Sequence, residues 1–140
     1  MSGRLINDGM GEFVANQVLT MLARKKIHVV GSNVLILGLA FKENCPDVRN
    51  TRVVDIISEL EDFDAVVDVY DPWVNAEQAC EEYGIKMVER PGIGSYDAII
   101  LAVAHEEFLV ADSVKRYGKA NHVLYDIKSV LAPDEVDGRL

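Results

Sequence analysis

The sequence predicts an α/β fold: a Rossmann-like, doubly wound, parallel five-stranded sheet, preceded by the end of a helix. Two observations predict it. Short apolar runs alternate with helical stretches along the chain of 140 residues, the rhythm of parallel strands joined by right-handed helical crossovers. The runs are also apolar on consecutive residues, as strands covered on both faces tend to be.

The elements follow in order. Met10, Val14, Val18, Met21 and Leu22 recur at helical spacing, and Arg24, Lys25 and Lys26 close the stretch where cations suit the helix dipole. The chain therefore opens inside or near a helix, as a piece of a longer protein would. Lacking an upstream partner, this stretch is expected to be the least protected helix. Gly31-Ser32-Asn33 punctuates, and "VLILG" (34–38) is the first strand. Val53, Ile56, Ile57 and Leu60 make one face of a helix that Asn50 or Thr51 can cap. "AVVDVYDPW" (65–73) is a second strand stopped by Asp71-Pro72, and residues 75–83 form an acidic helix ended by Gly84. "IKMVE" (85–89) is a third strand, "DAIILAVAH" (97–105) a fourth and "HVLYDIK" (122–128) a fifth. Short helices lie between the last two, up to Gly118. Residues 31–132 are thus one α/β domain, and residues 133–140 read as a frayed tail.

Composition excludes several functions. A formal charge of −9 argues against nucleic acid and against anionic membrane surfaces. No apolar run approaches a membrane span, and "MSGRLINDGMGEF" lacks the plan of a secretory signal. Cys45 and Cys80 have neither CxxC pairing nor metal-ligand spacing with the three histidines. No metal site is expected, and a reducing cytoplasm is. Charge distribution says more than the total. Residues 42–52 hold Lys42, Arg49 and Arg52 against Glu43 and Asp47, whereas the rest of the chain has 11 cations against 21 acids. A small cationic island suits a small anionic ligand, and equally a solvated helix entry.

That island lies in "GLAFKENCPDVRNTR" (38–52), between the first strand and its helix, where α/β folds bind ligands. Neither G-x-G-x-x-G nor Walker A is present. Lys42 and Arg49 could replace backbone N–H groups as phosphate donors, aided by the helix start. The other strand ends bring Asp71, Trp73, His105 and Lys128 to the same edge. Asp71 can take ribose hydroxyls or simply form the turn before Pro72. Trp73 can stack on a base or pack as a loop aromatic. His105, beside Glu106 and Glu107, can act in catalysis or merely bond a loop. Cys45, near cations, is a possible nucleophile without an identifiable base, and Cys80 reads as a core residue. A response-regulator receiver is excluded, since no acidic pair follows the first strand and no Asp follows the third.

"LGLAFKENCPDVRNTRVVDIISEL", followed by "VYDPWV", "YDAIILAVAHEEF" and "LYDIKSVL", closely resembles the C-terminal domain of the UDP-glucose/GDP-mannose dehydrogenase family. The resemblance runs from about Asn7 to Leu131. "FKENCPDVRNT" with "AVAHEEF" looks most like the branch that oxidises UDP-N-acetylhexosamines for surface polysaccharides. It implies an NAD-dependent oxidation of a sugar primary alcohol to the carboxylate, in a homodimer whose N-terminal half binds NAD and supplies the cysteine nucleophile. No residue here matches that cysteine, so no catalytic residue is expected in this chain and the chain alone should be inactive. Residues 1–30 would be the C-terminal part of the connecting and dimerisation helix.

Matched position by position, Phe41 and Lys42 would engage the UDP-sugar, with Glu43, Asn44, Cys45, Pro46, Asp47 and Val48 completing that contact. Arg49 would reach toward NAD on the other half. Lys128 stands where many members have arginine, keeping the charge but losing bidentate geometry. The alternative is a stand-alone nucleotide-binding or dimerisation module without a catalytic role.

Overall fold

The first strand runs Asn33–Leu37 (β1), and both of its faces are covered. Val34 and Ile36 join one apolar core, while Leu35 and Leu37 join another on the opposite face. The computed structural model describes residues 2–40, 53–85 and 87–139. Three helices, Ser2–Arg24 (α1), Val53–Asp62 (α2) and Ala76–Tyr83 (α3), lie on the first face. The second is covered by a 3₁₀ turn at Glu106–Phe108 and the short helix Ala111–Lys115 (α4). With strands Val66–Tyr70 (β2), Tyr96–Leu101 (β3), Gly118–Asp126 (β4) and Gly138–Arg139 (β5), the sheet order is β2-β1-β3-β4-β5. Every pairing is parallel. The doubly wound, five-stranded architecture is the expected one.

Its five strands are not the expected five. Among the described residues of 85–89 there is one bridge, Met87 beside Val69, in place of the third strand. Ile85 and Met87 offer only two side chains to the core, and Arg90-Pro91-Gly92 ends the run at once. The fifth place is taken by the tail that read as frayed. Asp137 pins it: its N–H donates to the Leu124 carbonyl at 2.8 Å and its carboxylate accepts from Leu124 N at 2.7 Å. Gly138 then passes so close to Met21 and Tyr125 that a Cβ there would lie 2.1 Å from the terminal methyl of Met21 and 3.1 Å from the Tyr125 ring. β4 also starts earlier than expected, because two steps along β3 (Tyr96 to Ala98) take five along β4 (Gly118 to Val123).

α1 is no loose stub. Val14, Val18 and Leu22 are fully buried, and Gly11 lets the helix approach α2 so closely that a Cβ there would lie 2.6 Å from that of Asp55. The face of α2 is the expected one, with Val53, Ile56, Ile57 and Leu60 buried. On α3, capped by Asn75 and ended by a left-handed Gly84, Ala79 is the buried residue. Cys80, about 100° further round the helix, is exposed rather than a core residue.

On the second face the Tyr96 hydroxyl donates to Asp68 Oδ2 at 2.7 Å, spanning β1. Burial, and then that bond, push its pKa up to about 12. The folded state therefore holds this proton where an unfolded chain releases it. The associated stability is complete below about pH 10 and is lost as pH rises toward 12. Tyr70 and Tyr125 are raised as well, so Tyr96→Phe isolates the contribution. Denaturant titrations at pH 9 and 11 should show a shallower alkaline loss in the variant than in the unmutated protein.

Candidate functional site

The carboxyl ends of the strands meet at one edge, and β1 reaches it first. Gly38 turns the chain out of β1 at φ +102, a conformation that favours glycine. Its N–H donates to the Tyr70 carbonyl on one side, while Leu37 accepts from Ala102 on the other. Next come Leu39 and Ala40, both buried. Phe41, Lys42, Glu43, Asn44, Cys45, Pro46, Asp47, Val48 and Arg49 lie outside the described residues, as do Asn50, Thr51 and Arg52.

Leu39 and Ala40 are held by Asp71. Its Oδ2 accepts from the N–H groups of Leu39 at 2.7 Å and Ala40 at 2.9 Å, and lies 2.9 Å from His105 Nε2. Its Oδ1 accepts from Trp73 N at 2.8 Å. Burial alone would raise this carboxyl's pKa. The bond from His105 and the three N–H groups outweigh that and hold it below the ordinary aspartate value. The carboxylate thus stays ionised, and since it can only accept, His105 Nε2 is the donor.

Trp73 stacks on the His105 ring at 5.8 Å and 24°, and its indole N–H donates to Glu107 Oε1 at 2.9 Å. Phe108 packs against the imidazole with a tilt of 55° and ring centroids 5.8 Å apart. Of the residues singled out in the sequence, Asp71, Trp73 and His105 therefore form one unit. Asp71 and His105 face inward, 4% and 0% exposed. With four hydrogen bonds already on Asp71, the turn-former and loop-bonding readings describe this pair better than ribose contact or catalysis.

Lys128 sits apart from that unit, exposed in the turn after β4. The fully buried Asp126 shapes this turn by accepting from Lys128 N and Leu131 N, at 3.0 and 2.8 Å. Sequence reasoning gave Asp126, inside the expected strand 122–128, no role. Its signal was available: an aspartate ending an apolar strand, with two backbone donors to gather within five residues. Among the described residues no group of three or more His, Cys, Asp or Glu could hold a metal ion. No described helix is long and apolar enough to cross a membrane. Two clefts, of about 460 Å³ beside α2 and α3 and about 520 Å³ at the opposite end of β1 and β3, lie away from this edge. What the edge supplies is a fixed launching point for residues 41–52.

Comparison with known proteins agrees. Residues 35–133 match the UDP binding domain of the UDP-glucose/GDP-mannose dehydrogenase family. The UDP-N-acetyl-D-glucosamine 6-dehydrogenase of Pseudomonas aeruginosa is 54% identical over 142 residues, covering 100% of this chain and 34% of that protein. The enzyme of the same name from Salmonella typhi is 47% identical, covering 100% and 33%. The crystal structure of an NDP-N-acetyl-D-galactosaminuronic acid dehydrogenase from Methanosarcina mazei superposes with a TM-score of 0.71 at 30% identity, covering 94% of this chain and 28% of that one. The chain thus spans about a third of the length of the curated relatives it matches. With the match running from β1 past the Asp126 turn, the chain belongs to the UDP-glucose/GDP-mannose dehydrogenase family and contains its UDP binding domain.

Proposed function

We propose that the chain is the nucleotide-sugar-binding part of an NAD-dependent UDP-sugar 6-dehydrogenase. Its substrate is a UDP-hexose or, on the stronger identity, a UDP-N-acetylhexosamine, oxidised to the uronate for surface polysaccharide biosynthesis. The observation that carries this reading is 54% identity along the whole chain to a UDP-N-acetyl-D-glucosamine 6-dehydrogenase. Phe41, Lys42 and residues 43–48 receive the UDP-sugar, with Lys128 at the margin, and Arg49 faces the cofactor. NAD supplies the hydride acceptor when bound. These 140 residues contain no G-x-G-x-x-G, so the reading assigns its binding to a further, N-terminal part of the protein. A cytoplasmic homodimer completes the proposal, the nucleotide sugar being a cytoplasmic metabolite.

Two measurements test it together. Calorimetric titration of UDP into the 140-residue chain should show binding. The same chain should show no NAD reduction with UDP-GlcNAc, UDP-ManNAc or UDP-glucose. Absence of UDP binding contradicts the site, and turnover that survives repurification contradicts the division of labour.

A further inference from the structure

Where residues 41–52 begin is decided by two groups that never reach the surface. Leu39 and Ala40 are the last described residues before the loop, and both of their N–H groups end on one oxygen of Asp71. That oxygen is also the one bonded to His105 Nε2. Asp71 follows β2 and His105 follows β3, the two strands flanking β1. The carboxylate and imidazole therefore meet beneath the chain leaving β1, one from each side. Removing the imidazole would leave the carboxylate buried with one donor fewer. Trp73 and Phe108 both pack against the ring, so the imidazole is itself constrained.

On the UDP-binding reading above, we infer that His105 is a positioning residue for the substrate loop, acting through Asp71. It fixes the carboxylate that fixes Leu39 and Ala40, the launching point of the chain before Phe41. It touches no substrate. Preorganisation of this kind lowers the ordering cost of ligand binding. Its loss should therefore appear in affinity as well as in stability.

The test compares His105→Leu, which removes the donor, with His105→Gln, which keeps an N–H near the position of Nε2. UDP is titrated into each 140-residue protein by calorimetry at a temperature where circular dichroism shows it folded. His105→Leu should bind UDP about tenfold more weakly, the scale of a lost hydrogen bond to a charged group, and His105→Gln should recover most of that loss. Equal affinity in His105→Leu and the unmutated protein would overturn the inference alone. Equal weakening in both variants would overturn it too, pointing to general loosening. Failure of the unmutated protein to bind UDP would overturn the function proposed above and this inference with it.

Amide exchange in the unmutated protein gives a check independent of folding in the variants. The Leu39 and Ala40 amides should already be slow without UDP, and UDP should slow only those of the loop beyond. Fast exchange at Leu39 and Ala40 in the free protein would show that the launching point is not preset, and would overturn the inference.

Discussion

Gly38→Ala is expected to destabilise the protein by about 2–5 kcal/mol, from two penalties with a common origin. The residue sits at φ +102, where an L side chain is strained, and an added Cβ would lie within van der Waals distance of the Val103 backbone nitrogen and Cβ. Neither neighbour can withdraw. Val103 is 3% exposed and its N–H bonds to the Leu37 carbonyl, so moving it pulls on the end of β1. Urea denaturation of both proteins measures the difference through the midpoint. A loss under about 1 kcal/mol would show that β1 and the segment after β3 slide past one another more freely than close packing allows.

Lys42→Ala is expected to weaken UDP binding to the chain by about 10- to 150-fold, the range for a lost charge-assisted bond of roughly 1.5–3 kcal/mol. Arg49→Ala should change it little, while the matching substitution should lower turnover in a full-length UDP-sugar dehydrogenase. Charge count alone does not separate the two residues, since both are cations of one island in a protein of net charge −9. The family resemblance separates them, giving Lys42 to the sugar nucleotide and Arg49 to the cofactor. Calorimetry on the two variants decides. Equal losses would make the pair a single phosphate clamp, and no loss in either would leave the island as a solvated helix entry.

Legibility in the sequence followed the range of the interactions. α2 could be read to the residue, because Val53, Ile56, Ile57 and Leu60 are a local period with one buried face. β1 could be read because each of its residues 34–37 is covered. The third strand misled because an apolar run of strand length secures pairing only if a neighbour is free along that length, and Met87 found one bridge. β5 was invisible: two residues, one of them glycine, are too few to form a pattern, and what places them is Asp137 reaching Leu124. The site behaved alike. The edge carrying Asp71, Trp73 and His105 followed from strand ends, but the bond between Asp71 and His105 joins residues 34 apart. No local pattern encodes it. Residues 41–49, which the family resemblance assigns to substrate and cofactor, lie outside the described residues.

The tail has a dynamic consequence. Lys25, just past the end of α1, bonds to the carbonyl of His122 and pairs with Asp137 at 2.7 Å, while Asn121 donates to the Lys25 carbonyl. These contacts bridge nearly the whole length of the chain, so in folding they carry the largest loop-closure cost and form after the sheet that supports them. In the native protein the same order runs backwards. β5 and the last turn of α1 should open together as one low-energy unit, ahead of β1 and β3. A protease acting on residues 133–139 would then sample that partial opening rather than global unfolding. The cleavage rate of the tail becomes a gauge of how firmly the first helix is seated.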